Sequence, residues 1–182
     1  KGVGALYVRH GIRLSPQIIG GSQERGQRAG TENVAFAVGL AAALNNAEQH
    51  RESNASHNSN LRDALIDGIS TIPGSRLNGP RNQRLANNVN VVFANVDSEA
   101  LLIQLDAAGI TASSGSACTS ASLEPSHVLQ AMGLSPDLAA GSLRLTSGQE
   151  NTMTQINQTI ETLRSLVPKL QSPHVAKLGG VA

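Results

Sequence analysis

One feature of the sequence constrains the fold more than any other: the order of the strand and helix patterns after the turn cluster at residues 77–82. β-Branched residues in Val89-Asn90-Val91-Val92-Phe93 predict a strand, and the leucines after Ser98, which can cap a helix, predict a helix that ends at Gly109. The later patterns are a short extended piece at 110–112, a loop, a helix at 126–132, a strand at 142–145 and a helix from 151 to Pro168. This order predicts an α/β protein with a small α+β unit, in which helices back a sheet.

The residues before this unit predict a shaped loop and a long helix. Four glycines within residues 20–30 disfavour both a helix and a central strand. Thr31 can cap a helix over about 32–50 with Glu32 in its first turn, and the helical spacing resumes at 61–69. Because residues 54–60 are rich in Asn and Ser, the pattern indicates one long helix that is bent or broken in its middle and stops at 72–74.

Composition argues against several classes of function. The net charge is +1 and only 2% of the residues are aromatic, which is unlike a nucleic-acid-binding surface. No apolar run approaches the roughly 18 residues of a membrane span, and no signal peptide is recognisable, so we expect a cytoplasmic protein without a membrane partner. The single cysteine excludes an internal disulfide and a cysteine-rich metal cage, and no metal site is predicted.

That cysteine, Cys118, lies in the segment SSGSACTS at residues 113–120. A lone cysteine is more often a small buried hydrophobe, but no large apolar residue accompanies this one between Ser113 and Ser122. The segment therefore predicts an exposed, mobile tether for a reactive thiol. Ionisation of the thiol needs a nearby cation or helix terminus, and His127 could supply one or could equally be a helix cap or a surface residue.

Three further segments extend this pattern, namely GGSQERGQRAGTEN, NVNVVF and EPSHVLQAMG. Together with SSGSACTS they resemble the class I cysteine desulfurases of the NifS and IscS type, in register from Lys1 to about Leu166. The resemblance implies the C-terminal part of a fold type I enzyme that depends on pyridoxal 5'-phosphate. It further implies a homodimer that removes sulfur from L-cysteine, leaves L-alanine and a persulfide on Cys118, and delivers the sulfur to an iron-sulfur scaffold or another acceptor protein.

The resemblance also implies roles for individual residues. Arg144 matches the arginine that holds the substrate carboxylate, although a surface arginine on a strand would give the same pattern. Thr31 matches the residue that binds the cofactor phosphate of the other protomer, although a plain helix cap would look the same. Arg25 and Arg28 stay unassigned, with salt bridges that brace the loop as the expected use.

On this resemblance the chain divides into four parts. Residues 1–33 are the end of the large domain that binds pyridoxal phosphate, 34–72 a linking helix, 73–170 the small domain with the cysteine loop, and 171–182 a flexible tail. The lysine that binds the cofactor in the family precedes the segment that begins here as Lys1, and neither Lys169 nor Lys177 matches it. This chain alone is therefore expected to be an incomplete enzyme.

Two other classes of protein stay open. One is a truncated or split-gene interaction module without catalysis, which docks on sulfur acceptors or on a partner chain that carries the lysine. The other is a different fold type I enzyme, such as an aminotransferase or a selenocysteine lyase. The thiol of Cys118 argues against the aminotransferase, and the length of its loop argues against the lyase.

Overall fold

The computed structural model describes residues 2–114 and 126–171, which form two compact units that divide between Glu52 and Ser53. Cys118 and the tail at 172–182 lie outside the described residues. The helices, in chain order, are α1 Val34–Gln49, α2 Arg51–Ser70, α3 Ser98–Ala107, α4 His127–Ala131, α5 Pro136–Ala140 and α6 Met153–Leu170, and a 3-10 turn spans Glu24–Gly26. The strands are β1 Ser75–Leu77, β2 Asn88–Phe93 and β3 Ser142–Thr146. None of the described helices is long and apolar enough to cross a membrane.

The glycine-rich loop of the first unit is held by main-chain and amide hydrogen bonds. The Ala29 N–H donates to the Ile18 carbonyl at 3.1 Å, and the Gly30 N–H donates to Gln23 Oε1 at 3.2 Å. Arg25 and Arg28 are exposed, and neither forms an ion pair with a described carboxylate. The expected bracing salt bridges are therefore absent from the described part of this loop, and main-chain bonds and Gln23 contribute to its shape instead.

Helix α1 begins two residues later than expected. The N-cap is Asn33, whose side-chain oxygen accepts the Phe36 N–H at 3.1 Å. The prediction that Thr31 caps this helix is therefore wrong, and Glu32 precedes the first turn. The long helix is broken at His50, between α1 and α2, and not at residues 54–60, which are helical within α2.

The second unit contains a three-stranded antiparallel sheet in the order β1-β2-β3. Alternation along the strands places Val89, Val91, Leu143 and Leu145 on one face, where they are almost fully buried. That face packs against apolar stripes of three helices, listed as Leu61, Leu65, Ile66 and Ile69 of α2, Leu101 and Leu105 of α3, and Ile156, Ile160, Leu163 and Val167 of α6. The predicted α/β class, with a small sheet backed by helices, is confirmed.

Several boundaries differ from the sequence prediction. Asp97, not Ser98, caps α3, because its carboxylate accepts the Glu99 N–H at 2.8 Å. Helix α6 does not stop at Pro168 but continues to Leu170, and the complete burial of Val167 offsets the one hydrogen bond that proline cannot donate. The elements β1 and α5 were not predicted, and residues 110–112 form no strand.

Replacing Gly141 with alanine is expected to destabilise the second unit. Gly141 is buried beside β2, where its carbonyl accepts the Phe93 N–H at 2.9 Å, and a Cβ atom here would overlap the Phe93 carbonyl oxygen and lie 3.0 Å from that of Val96. Because backbone atoms must move, we expect a loss of about 1–3 kcal/mol of unfolding free energy, measured by urea denaturation. Gly148→Ala, whose Cβ would meet only Asn151 Oδ1 at 4.0 Å, is the control. Equal midpoints for the two variants would contradict this account.

Candidate functional site

The face of the sheet opposite the core is polar at one end. Since side chains alternate along a strand, Asn88 and Asn90 of β2 lie on this face while Val89 points to the core. Arg144 of β3 is the Cα partner of Asn90 in the antiparallel ladder, so the two side chains are neighbours across the strands. The asparagines at alternate positions in Asn88-Val89-Asn90 are the sequence signal for this polar face, which was not predicted.

This polar face is the floor of a pocket of about 290 Å³. Helix α4 supplies an apolar wall, made by Val128, Leu129 and the adjoining Met132. The remaining lining residues are polar and neutral: Asn78, Ser114 and Ser126. The pocket thus combines an apolar wall with amides, hydroxyls and one guanidinium, which are groups that can orient a small polar molecule.

Arg144 provides the charge in this pocket. Its side chain is exposed, and its one hydrogen bond to a described residue runs from Nη2 to Ser113 Oγ at 3.5 Å, which is long. None of the described carboxylates lies within ion-pair distance of it. Because a guanidinium has five N–H donors and the described residues use one of them, Arg144 has four donors that no described residue occupies and that an anionic ligand could bind.

The backbone of Arg144 also holds the start of the cysteine-bearing segment. The Arg144 N–H donates to the Ser113 carbonyl at 2.6 Å, and the Ser113 N–H donates back to the Arg144 carbonyl at 3.1 Å. Ser142, only 2% exposed, donates its hydroxyl to the Ser114 carbonyl at 2.9 Å. The sheet therefore fixes residues 113–114 beside the pocket. Cys118, four residues further on, lies outside the described residues.

An amide pair lies next to Arg144. Asn78, which is 6% exposed, donates from Nδ2 to Asn90 Oδ1 at 2.7 Å, and its backbone N–H donates to the Asn90 carbonyl at 2.9 Å. Asn78 Oδ1 is buried and has no hydrogen-bond partner in the described part of the chain. From the sequence Asn78 is recognisable only as part of a turn cluster, because no sequence pattern reveals a contact between amides twelve residues apart.

Thr31 and His127, the other described residues considered for the site, are not among the residues that line the pocket. Thr31 belongs to the first unit and is exposed just before α1, and since Asn33 is the cap, the Thr31 hydroxyl is not used to cap the helix. His127 is exposed at the first position of α4, and the pocket lining there comes from its neighbours Ser126 and Val128. The structure thus brings Arg144 together with Ser113 and Ser114.

Of the described residues, Thr31 has chemistry suited to the phosphate end of pyridoxal phosphate. An exposed threonine hydroxyl before a helix N-terminus has the donor chemistry that a phosphate group requires. None of the described residues that line the pocket is a lysine, and Lys169, on α6, donates to Ser165 Oγ at 3.1 Å. Among the described residues no group of three or more His, Cys, Asp or Glu side chains could hold a metal ion.

The family model for class-V aminotransferases matches residues 1–159. The chain belongs to the class-V aminotransferase family. Among its class-V relatives, the cysteine desulfurase IscS of Methanosarcina thermophila is 49% identical over 172 residues, which cover 94% of this chain and 43% of that protein. The cysteine desulfurase IscS of Clostridium botulinum strain Hall is 48% identical over 170 residues, covering 92% of this chain and 43% of that protein. The class-V chain thus spans less than half the length of these relatives.

Solved structures of NifS-like proteins also resemble this chain. A NifS-like protein superposes on this class-V chain with a TM-score of 0.78 at 31% identity, over 90% of this chain and 42% of that one. The NifS-like protein from Rickettsia africae gives a TM-score of 0.74 at 30% identity, over 86% of this chain and 41% of that one. The predicted resemblance to the NifS and IscS type is confirmed by both comparisons.

Proposed function

We propose that the protein to which this class-V chain belongs is a pyridoxal-phosphate-dependent cysteine desulfurase. This chain would supply the substrate-carboxylate site and the sulfur-accepting thiol. The observation that carries the proposal is the exposed guanidinium of Arg144, which lines the pocket without a carboxylate partner among the described residues, beside the two serines that lead to Cys118. The relatives named cysteine desulfurase support it independently.

Arg144 suits the carboxylate of a free amino acid. A planar guanidinium can donate two parallel hydrogen bonds to the two oxygens of a carboxylate, and such charge-assisted pairs are about twice as strong as neutral ones. The pocket volume of about 290 Å³ lies at the lower end of the range for small-molecule sites, which agrees with a substrate as small as L-cysteine. The apolar wall of α4 would exclude a second charged group from that side.

Cys118 would accept the sulfur. It lies four positions after Ser114, and a chain of that length spans at most ~14 Å, so the fixed start of the segment keeps the thiol within reach of the pocket region. The thiolate attacks the sulfur atom of L-cysteine, the carbon-sulfur bond of the substrate breaks, and the β-carbon gains a proton. In net terms L-cysteine and the Cys118 thiol give L-alanine and a Cys118 persulfide, with no external oxidant or reductant.

Thr31 would hold the phosphate of the cofactor with its hydroxyl group, at the N-terminus of α1, where the helix dipole favours an anion. When bound, pyridoxal phosphate supplies the electron sink that makes the substrate sulfur electrophilic. If Thr31 acts on the cofactor of the neighbouring protomer, the active protein is a homodimer. We further propose that it works in the cytoplasm and passes sulfur to an iron-sulfur scaffold or another acceptor protein.

The proposed function is tested by measuring which products form from L-cysteine and in what amounts. The whole protein, loaded with pyridoxal phosphate, is incubated with L-cysteine and a thiol reductant that regenerates Cys118. We expect L-alanine and sulfide in equal amounts, and no alanine from L-serine, which has no sulfur to transfer. Pyruvate and ammonia in place of alanine, or transfer of the amino group to a keto acid, would contradict the proposal and favour a different class-V reaction.

A further inference from the structure

We infer that Arg84 is a positioning residue for the pocket: its guanidinium fixes the turn at residues 78–88 and thereby places Asn78 and Asn88 on the pocket lining. The inference concerns the shape of the pocket. Only the identity of the ligand, L-cysteine, rests on the proposed function.

Arg84 donates hydrogen bonds to carbonyl groups at both ends of this turn. The bonds are Nη2 to Asn78 at 2.8 Å, Nη2 to Gly79 at 3.1 Å, Nε to Pro80 at 2.8 Å and Nη1 to Asn88 at 3.4 Å. The two outermost partners, Asn78 and Asn88, are also pocket-lining residues. One side chain therefore binds both ends of the turn, and the residues at both ends line the pocket.

Arg84 makes its hydrogen bonds to the turn in an unfavourable charge environment. Burial lowers the pKa of Arg84, and the nearby positive charge of Arg62 lowers it further, while Asp63 acts in the opposite direction. No described carboxylate forms an ion pair with Arg84. A cation that is desolvated beside a like charge is unfavourable electrostatically, so its compensation comes from the carbonyl groups that it binds.

The effect of Arg84 reaches Arg144 through the amide pair. Arg84 holds the backbone of Asn78, the Asn78 side chain donates to Asn90 Oδ1 at 2.7 Å, and Asn90 faces Arg144 across the β2–β3 ladder. A turn that loses Arg84 would hold the Asn78 backbone only by its N–H bond to the Asn90 carbonyl, and the side chain next to Arg144 would be less well fixed. Misplacement of binding groups by ~1 Å costs up to ~100-fold in activity, so a residue outside the pocket can affect the ligand strongly.

A second arginine of the same turn gives a matched control. Arg81 pairs with Asp67 at 2.6 Å, and both side chains are exposed. This ion pair links the turn to α2, but neither of its residues lines the pocket. Loss of Arg81 removes one charge and one tie from the same turn while leaving the four carbonyl contacts of Arg84 in place.

The first readout needs neither cofactor nor substrate. In NMR spectra of this chain, Arg84→Gln is expected to shift the side-chain amide signals of Asn78 and Asn90, whereas Arg81→Gln leaves them in place. Arg84→Lys is expected to resemble Arg84→Gln, because an ammonium group cannot reproduce the planar fork of donors. Arg84→Lys also serves as the second variant if Arg84→Gln does not fold. Unchanged amide signals in the folded Arg84 variants would overturn the inference.

The second readout is kinetic and uses the whole, cofactor-loaded protein. Arg84→Gln and Arg84→Lys should raise KM for L-cysteine by on the order of tenfold while kcat changes less than KM, and Arg81→Gln should leave KM near its original value. Equal KM values for the Arg81 and Arg84 variants would overturn the role in binding. If the protein does not release alanine from L-cysteine at all, the proposed function fails, and the amide signals still decide the role of Arg84.

Discussion

Replacing Cys118 with serine in the whole, cofactor-loaded protein is expected to abolish both persulfide formation and the release of L-alanine from L-cysteine. A hydroxyl group is a poor acceptor for sulfur, and no second cysteine exists in this chain to replace the thiol. We expect alanine formation to fall by at least on the order of a thousandfold, as is typical when a catalytic nucleophile is removed. Amino-acid analysis of the released alanine measures the effect.

The control for this variant is Ser120→Ala, which changes a hydroxyl group two residues from the thiol. It should keep alanine formation near that of the original protein. Binding of L-cysteine should survive in Cys118→Ser, because Arg144 is unchanged, and difference spectroscopy of the cofactor can follow it. Substantial alanine release by Cys118→Ser would mean that another group accepts the sulfur, and the assignment of Cys118 would be wrong.

Replacing Arg144 with glutamine is expected to weaken binding of L-cysteine. Loss of charge-assisted hydrogen bonds to a carboxylate costs about 1.5–3 kcal/mol, which corresponds to a rise in KM of about 10- to 150-fold. Steady-state kinetics with L-cysteine measures the change. Cofactor binding should stay unaffected, since Thr31 and the helix N-terminus, not Arg144, are proposed to hold the phosphate.

Two further arginine variants sharpen this test. Arg144→Lys keeps the charge but loses the two parallel hydrogen bonds, so its KM should lie between those of the original protein and Arg144→Gln. Arg164→Gln removes an exposed arginine of α6 that pairs with Glu161, and its KM should not change. If saturation by L-cysteine were the same in Arg144→Gln and Arg164→Gln, Arg144 would not be the carboxylate site.

The elements that could be predicted from sequence are those with a long periodic pattern. Strand β2 and helices α3 and α6 each place several apolar residues at strand or helix spacing, and those residues form the core. Strand β1 has three residues and α5 has five, too few for a period to be recognised. They form because neighbouring elements bind them: β1 pairs with β2, and Ala139 of α5 is buried with Val92.

Helix ends were harder to predict because neighbouring residues compete for the same role. Thr31 and Asn33 can both cap α1, and so can Asp97 and Ser98 for α3, by side-chain chemistry alone. The backbone conformation decides between them, and in both helices a residue other than the predicted one accepts the N–H. The outcome for Thr31 is informative, since the alternative explanation of this residue as a plain cap is removed.

The candidate site was predicted only in part, because several of its contacts join residues that are distant in the sequence. Arg144 could be identified because its segment resembles that of a known family. The amide pair of Asn78 and Asn90 and the carbonyl contacts of Arg84 depend on a turn that brings distant backbone groups together. Side chains that bind backbone carbonyls leave no spacing pattern in the sequence, so they could be found only in the structure.

The most direct test of the central claim is the chemical state of Cys118 after one turnover. The whole protein is incubated with L-cysteine without reductant, its thiols are alkylated, and the peptide that carries Cys118 is examined by mass spectrometry. We predict one additional sulfur atom on Cys118, in an amount equal to the L-alanine released. In Arg144→Gln at low L-cysteine concentration, both the persulfide and the released L-alanine should be reduced. Release of L-alanine with Cys118 unmodified would contradict the central claim.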